Sequence, residues 1–240
     1  LGDGTNVIFN DKGFNGVVVI NSFTGISISE DGLVTAGSGE NWDELVRQTV
    51  DAGFAGIEAL SLVPGTVGGA PVNNIGAYGQ EISETLVSVR AFDVTMHDFI
   101  TLANRECGFA YRTSRFKDAD HGRFIITSIT LQLHRADASY AAPDYPALIG
   151  ELQKQNIERP TINNVRDAVI SVRTHKLPDP KVVANSGSFF KNAIVDEETV
   201  ARIKASYPEV PVYPYGDLFK IPAGWLIEAA GLKNVCEHGM

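Results

Sequence analysis

The stretch that most constrains this chain is Ser61 to Glu81, SLVPGTVGGAPVNNIGAYGQE. Gly65, Gly68, Gly69, Gly76 and Gly79 lie inside it and Gly56 just upstream, beside two prolines and the pair Asn73-Asn74, with almost no charge. Glycine loses more freedom on ordering than any other residue, so such a run marks backbone that bends sharply or approaches something closely. Its N–H groups can form concavities that hold phosphate oxygens. The pattern is not GxGxxG and no strand feeds directly into a helix here, which argues against a Rossmann dinucleotide site. A long structural loop would have the same glycine content. An apolar, glycine-lined loop of this length is uncommon without a function, and that favours a ligand.

A chain of 240 residues is large for one domain and comfortable for two. With 44% hydrophobic and 20% charged residues it can bury a sizeable core. A net charge of −9 argues against a nucleic-acid binder, because no basic stripe exists to displace phosphate counterions. No apolar run reaches transmembrane length and no signal peptide opens the chain, so no membrane insertion and a cytoplasmic location are expected. Cys107 and Cys236 have no metal-ligand spacing and are too few for a disulfide framework.

Along the chain, Gly2-Asp3-Gly4-Thr5-Asn6 forms a short loop that could donate hydrogen bonds to an anion, although a hairpin turn would look the same. Val17 to Ile20, Ile26 to Ser29 and Leu33 to Ala36 read as short strands. Asn41 and Glu44 form a capping-box pattern ahead of Trp42, Leu45, Val46 and Val50 at helical spacing. Strands are expected at Leu86 to Val94 and Phe124 to His134, the latter with Ile125, Thr127, Ile129, Leu131 and Leu133 facing one way. Helices are expected around Leu148 to Gln155, after a cap at Asn164, at Asp196 to Tyr207 and at Ala223 to Ala230.

Two polar clusters stand out. Phe109 to Lys117 sets Arg112, Arg115 and Lys117 among three aromatics. It reads either as a solvated basic turn or as a fixed cation facing an anionic cofactor or developing negative charge. Ala184 to Asn192 is small and polar, then aromatic, then cationic, with Lys176, Lys181 and Lys191 nearby in sequence. A serine beside glycine is common in plain turns, but such a set of cations also suits an anionic substrate. The prolines of RTHKLPDPK suggest a domain boundary, placing one domain at 1–172 and a second at 173–240.

LGDGTNVIF, the glycine-rich stretch, CGFAYRTSRFK, HKLPDPKV followed by SGSFFKN, and AGWLIEAAGLK occur in that order over nearly the whole chain. Together they resemble UDP-N-acetylenolpyruvoylglucosamine reductase, the MurB flavoenzyme family of peptidoglycan synthesis. The Tyr145-bearing insertion looks like the type I branch, which carries a substrate-binding tyrosine loop. The resemblance implies an α+β fold, with an FAD-binding domain of the MurB/vanillyl-alcohol-oxidase (PCMH-like) type and a smaller α/β substrate domain. It implies FAD reduced by NADPH, a UDP-sugar as partner and a monomer.

Position by position, it implies that Gly2, Asp3, Gly4, Thr5 and Asn6 cradle FAD. Pro64, Gly65, Thr66, Val67, Gly68, Gly69, Asn73, Asn74, Gly76, Ala77 and Gly79 would complete the cradle. Arg112 would stabilise charge on the enolpyruvyl carboxylate as hydride arrives, and Ser188 would be the general acid. Tyr78, Tyr145, Arg173, Lys176 and Asn192 would hold the UDP-sugar. Hydride addition drives negative charge toward the carboxylate, so a nearby guanidinium lowers the barrier, and a serine acid needs cationic or proton-relay support.

The chain departs from the family pattern in places. Family members carry a strand and helix before the LGDGTN loop and a C-terminal segment with a catalytic glutamate. Both lie outside this sequence, so the chain as written is expected to be a poor catalyst. Glu237 falls too early for that glutamate, and Gly69 stands where many relatives have a serine. Another FAD oxidoreductase on the same fold, or a non-catalytic nucleotide-sugar module, are the competing readings. The first is disfavoured because SGSFFKN and HKLPDPKV match the substrate domain; flavin absorbance with and without UDP-sugar separates all three.

Overall fold

Asn41 starts the first helix as its position suggests. Its side chain accepts the Glu44 N–H at 3.0 Å and opens α1, Trp42–Asp51. The reciprocal half of the box is absent, because Glu44 turns to Arg47 and Gln48 instead. Trp42, Leu45, Val46 and Val50 are buried, and the Trp42 indole donates to Leu60 O at 3.0 Å. The computed structural model describes residues 1–178, 182–183, 185–233 and 235. Lys181, Cys236 and Glu237, singled out above, lie outside the described residues.

The chain divides into two compact units, Leu1–Ser186 and Gly187 onward. In the first, β1 (Ile26–Ile28), β2 (Leu33–Gly37), the pair β3 (Phe54–Ala55), and a small hairpin of β4 (Gly76–Ala77) and β5 (Gln80–Glu81) precede the long strands. These are β6 (Leu86–Asp93), β7 (Asp98–Ala103) and β8 (Phe124–Gln132), with β9 (His134–Arg135) pairing back to β3. The main sheet is antiparallel with order β1-β2-β8-β6-β7. α1 and the short α2 (Gly69–Val72) contribute Trp42, Leu45, Val46 and Ala70 to the core that includes Val89, Ile129 and Leu131 of the sheet. α3 (Pro146–Lys154) and α4 (Ile162–Lys176) bury Leu148, Leu152, Val165, Ala168 and Val169 around Ala59 of the 3-10 turn Glu58–Leu60.

The second unit is a three-stranded antiparallel sheet of order β10-β12-β11, from Ala193–Val195, Leu218–Ile221 and Tyr213–Tyr215. Helices α5 (Glu197–Ser206) and α6 (Ala223–Ala229) accompany it. Asp196 caps α5 by accepting the Thr199 N–H at 2.8 Å.

The structure departs from the sequence pattern in identifiable ways. Val17 to Ile20 forms no strand and stays exposed, Val17 at 86%. β propensity needs a continuous ladder to become a strand, and the bonds here are isolated: the Leu1 amine donates to Val19 O at 2.9 Å and Asn21 N donates to Leu1 O. In β8, Thr127, Ile129 and Leu131 point inward, as does Leu133 beyond it, while Ile125 faces out and Ile126 is buried. A register shift against Arg90 and Ala91 of β6 resets the alternation there. β7 was not expected. It is brought back onto β6 by Asp93, whose carboxylate accepts the Thr95 and Met96 N–H groups. α4 starts three residues earlier than expected: Thr161 is the cap, and Asn164 is its capping-box partner inside the helix. The helix then runs through residue 172, the expected boundary, to Lys176, and the compact units divide after Ser186.

Candidate active site

The two glycine-bearing loops brace each other. A Cβ on Gly2 would lie 2.5 Å from Thr66 Oγ1, and one on Gly65 would lie 3.2 Å from Thr5 Oγ1. The glycine-rich stretch is pinned below: Gly65 O accepts the Trp42 N–H, and Val67 N and Gly68 N donate to Glu40 O and Ser38 O. Gly68 is required by that approach, since a Cβ there would meet Ser38 Cβ at 2.7 Å. Gly69 is exposed, with nothing nearer than 3.9 Å to its Cβ position. Gly69 N and Ala70 N are likewise bonded within the turn, to Thr66 O and Val67 O, so what the stretch offers a dinucleotide is close approach to backbone with little side-chain bulk rather than a row of free amides. Asp3 and Asn6 are exposed at its edge, and Gly4 takes φ +71°.

Further along, the paired asparagines have diverged. Asn73 accepts Lys117 Nζ at 2.8 Å. Asn74 is 1% exposed and spends its amide on Glu81, Ala110 O and the Ser83 N–H. Its side chain is therefore committed to the fold, so a ligand would meet only its backbone.

The chain then reverses at Tyr78-Gly79, a two-residue turn with φ +48° and +89°. Positive φ at both central residues matches the twist of a hairpin, but tyrosine seldom adopts it. Strain of this kind persists only where the surroundings over-determine it, and sites of function are where it gathers. Here the Tyr78 ring meets Tyr145 edge to face at 5.4 Å, and the Arg173 guanidinium lies near enough to the phenol to act on its ionisation. Burial pushes the Tyr78 phenol up against the pull of Arg173, and burial pushes the Arg173 guanidinium down against Tyr78 and Asp43. Tyr145 stands at the start of α3 and Arg173 near the end of α4. The turn thus brings together three residues from well-separated parts of the sequence.

Arg112 sits beneath this hairpin, itself at φ +55° in the Ala110–Thr113 turn. Its fork donates to Gly76 O, to Asn74 O at 3.4 Å and to Glu81 at 3.2 Å. A Cβ on Gly76 would fall 2.6 Å from Arg112 Nη1, so only glycine admits the guanidinium there. A guanidinium has five N–H donors, so this anchoring still leaves donors for an anion. The neighbouring cations serve the fold: Arg115 binds Asp120 at 2.7 Å and Glu106 O at 2.9 Å.

Lys176 is exposed one turn after Arg173, on a groove of about 490 Å³ that Lys154, His175 and Gly150 also line. A cavity of about 1360 Å³ lies between the 136–143 segment and the α3–α4 connection and is lined by none of the residues expected at the site. Ser188 and Asn192 belong to the second unit. Ser188 is exposed, and Asn192 Oδ1 accepts the Ala223 N–H at 3.1 Å, capping α6.

Three elements went unread in the sequence. Glu81 is the counter-charge of Arg112. Glu58 is buried beneath the hairpin. Asp43 forms a two-pronged ion pair with Arg166 at 2.7 and 3.0 Å, and Arg166 also bonds Ser61 Oγ. A Tyr-Gly pair between short segments was the available signal for the hairpin; the ion pair had none.

Residues 1–95 match the FAD binding domain family, and together with reductase relatives that cover the whole chain this makes it a flavoprotein of the oxidoreductase class. The UDP-N-acetylenolpyruvoylglucosamine reductase of Aliivibrio fischeri is 44% identical over 242 residues, covering 100% of this chain and 67% of that protein. That of Flavobacterium johnsoniae is 41% identical, covering 98% of this chain and 70% of that protein. In fold, the crystal structure of UDP-N-acetylenolpyruvylglucosamine reductase (MurB) from Thermus caldophilus matches with a TM-score of 0.61 at 24% identity, over 98% of this chain and 66% of that one. The chain belongs to the UDP-N-acetylenolpyruvoylglucosamine reductase family and spans about two thirds of the length of these relatives. Among the described residues no helix is long and apolar enough to cross a membrane.

Proposed function

We propose that the chain performs the reduction for which its family is named, converting the enolpyruvyl ether of a UDP-N-acetylglucosamine to the lactyl ether of UDP-N-acetylmuramate with electrons from NADPH. The observation that carries this reading is the convergence of Tyr78, Tyr145 and Arg173 on the hairpin that anchors Arg112. The loop Gly2 to Asn6 and the stretch Pro64 to Gly79 would hold FAD, whose bound ring supplies the hydride. Tyr78 and Tyr145 offer aromatic faces to the nucleotide sugar, and Arg173 and Lys176 offer cations to its diphosphate. Asn192 would add an amide contact.

Arg112 meets the substrate carboxylate. Its charge is fixed in place before substrate arrives, so it stabilises the negative charge that grows there at no cost in reorganisation. Ser188 gives its hydroxyl proton to the carbon beside the one that received hydride, completing the lactyl group. The unit from Leu1 to Ser186 would be the flavin domain and the unit after it the substrate domain, in a cytoplasmic monomer that supplies cell-wall precursor.

The deciding experiment follows flavin absorbance in the full-length, FAD-loaded enzyme. NADPH should bleach it, and the enolpyruvyl UDP-sugar should restore it with one lactyl ether formed per flavin. Reoxidation by oxygen alone, with no response to the UDP-sugar, would rule the assignment out and favour an oxidase. Light scattering at twice the single-chain mass would exclude the monomer.

A further inference from the structure

Glu58 is 1% exposed, yet among the described residues no cation pairs with it. Its carboxylate is held by three donors instead: Gly56 N at 2.6 Å, Gln80 Nε2 at 2.9 Å and the Tyr140 hydroxyl at 2.9 Å. Burying a carboxylate without a counter-charge is costly unless its hydrogen bonds are complete, so the arrangement needs a reason. The donors supply one. Gln80 follows the Tyr78-Gly79 turn immediately, and its other end accepts the Ala59 N–H at 2.8 Å, so its amide is gripped from both sides. Tyr140 opens the segment that leads to Tyr145, and its half-buried phenol is raised by burial and by Glu58, which keeps it a donor. Ala59, next to Glu58, packs on Val165, Ala168 and Val169 of α4, the helix that carries Arg173.

We propose that Glu58 is a positioning residue for the nucleotide-sugar site: through Gln80 and Tyr140 it fixes the hairpin and the 140–145 segment so that Tyr78, Tyr145 and Arg173 meet. The inference rests on the functional reading above. It differs from a general role in stability because two of the three donors, Gln80 and Tyr140, belong to the supports of Tyr78 and Tyr145, and the neighbouring Ala59 packs on the helix of Arg173, whereas none of the three donors lies in the loops at Gly2 to Asn6 or Pro64 to Gly69.

The donor pattern permits a specific test. In Glu58→Gln an amide N–H₂ faces either the Gly56 N–H or the Gln80 N–H₂. Turning Gln80 over to relieve the second clash sets its N–H₂ against the Ala59 N–H. Adding Gln80→Glu removes the conflict: the new carboxylate accepts from both Ala59 N and the amide introduced at position 58, whose second N–H serves the Tyr140 oxygen. In the full-length, FAD-loaded enzyme, Glu58→Gln should raise KM for the enolpyruvyl UDP-sugar and the Kd for UDP by calorimetry about 10-fold, since small misplacements of a binding group have effects of this order. The rate of flavin reduction by NADPH should stay within about 2-fold, and the double variant should recover both constants. Wild-type enzyme that binds UDP while Glu58→Gln binds it equally well overturns the proposal. So does a loss of flavin, or equal slowing of both half-reactions, that the double variant leaves unrepaired. If Glu58→Gln does not fold, Tyr140→Phe decides, with an unchanged KM counting against. Wild-type enzyme that binds no UDP would instead fail the functional reading itself, before any variant is made, and the proposal with it.

Discussion

Arg112 is gripped by Gly76 O, Asn74 O and Glu81, in a pocket that a single methyl on Gly76 would close. Ser188 lies in an exposed segment of the second unit and makes no hydrogen bond among the described residues. Beside it Phe189 and Phe190 pack on each other at 4.9 Å while remaining exposed, Phe189 at 73%. The contrast follows from what each group would have to do. A cation that stabilises developing charge works best when fixed beforehand, because reorganising it would cost rate. A proton donor needs correct geometry only when substrate is present, and such contacts tighten on binding. On the proposed roles, the electrostatic part of the site would be built by local folding around Arg112, and the acid would be placed only when substrate binds.

The largest effect should come from the less constrained side. Ser188→Ala in the full-length, FAD-loaded enzyme should slow substrate reduction on the order of 10²–10⁴-fold, the usual cost of a positioned general acid. Reduction of the flavin by NADPH needs no proton from this serine and should be nearly unaffected. Stopped-flow separates the two signals, and equal slowing of both would make Ser188 structural. Arg112→Lys comes next, with an expected loss of about 10²-fold in the same half-reaction. Lysine keeps the charge but cannot span Asn74 O, Gly76 O and Glu81 while gripping a carboxylate. Unchanged substrate-dependent reoxidation would show that the fixed cation is not the electrostatic partner, and the comparison would lose its first half.

How much of this was legible follows the distance over which each interaction acts. The start of α1 could be read because Asn41 caps a group three residues away. The start of α4 was misplaced because Thr161 and Asn164 both favour caps, and only the folded backbone shows which one lies outside the helix. The inward face of β8 was legible except at Ile125, where a register shift imposed by β6 decides the matter. At the site, the glycines and the cation Arg112 could be picked out by residue type. Glu58 could not, since its partners lie 22 and 82 residues away, and Asp43 is 123 residues from Arg166. Periodicity records which face is buried, and carries no trace of which distant polar groups will be buried together.

The Asp43–Arg166 pair tests whether the first unit's rigidity is polar in origin, with a smaller expected effect. It joins α1 to α4, and Asp43 also accepts the Leu62 N–H at 2.7 Å, at the entrance to the glycine-rich stretch. Burial pushes the Asp43 carboxyl up, but the hydrogen bonds from Arg166 and Leu62 and the Arg166 charge outweigh it and hold the carboxyl below its usual value. A depressed carboxylate contributes stability that is present above its unfolded value and lost as pH falls through the folded one. Asp43→Asn should therefore cost roughly 2–3 kcal/mol near pH 7, with the gap to wild type closing below about pH 4. Urea melts across that range measure it. A gap independent of pH would mean that shape, not charge, holds the two helices.

The smallest effect separates packing from hydrogen bonding at the hairpin itself. Tyr78→Phe keeps the ring, so the edge-to-face contact with Tyr145 at 5.4 Å survives, and it leaves the turn backbone at φ +48° as it was. Only the hydroxyl, through which Tyr78 interacts with Arg173, is removed. Arg173 is half-buried, so water can replace part of the lost interaction, and the net cost should be about 0.5–1.5 kcal/mol. That corresponds to roughly a 2- to 12-fold rise in KM for the UDP-sugar, with flavin reduction by NADPH unchanged. An unaltered KM would show that ring packing alone places Arg173, and that the polar preorganisation seen at Arg112 does not extend to the sugar site. A fall in the flavin-reduction rate would instead put Tyr78 against the cofactor, on the other side of the hairpin's work.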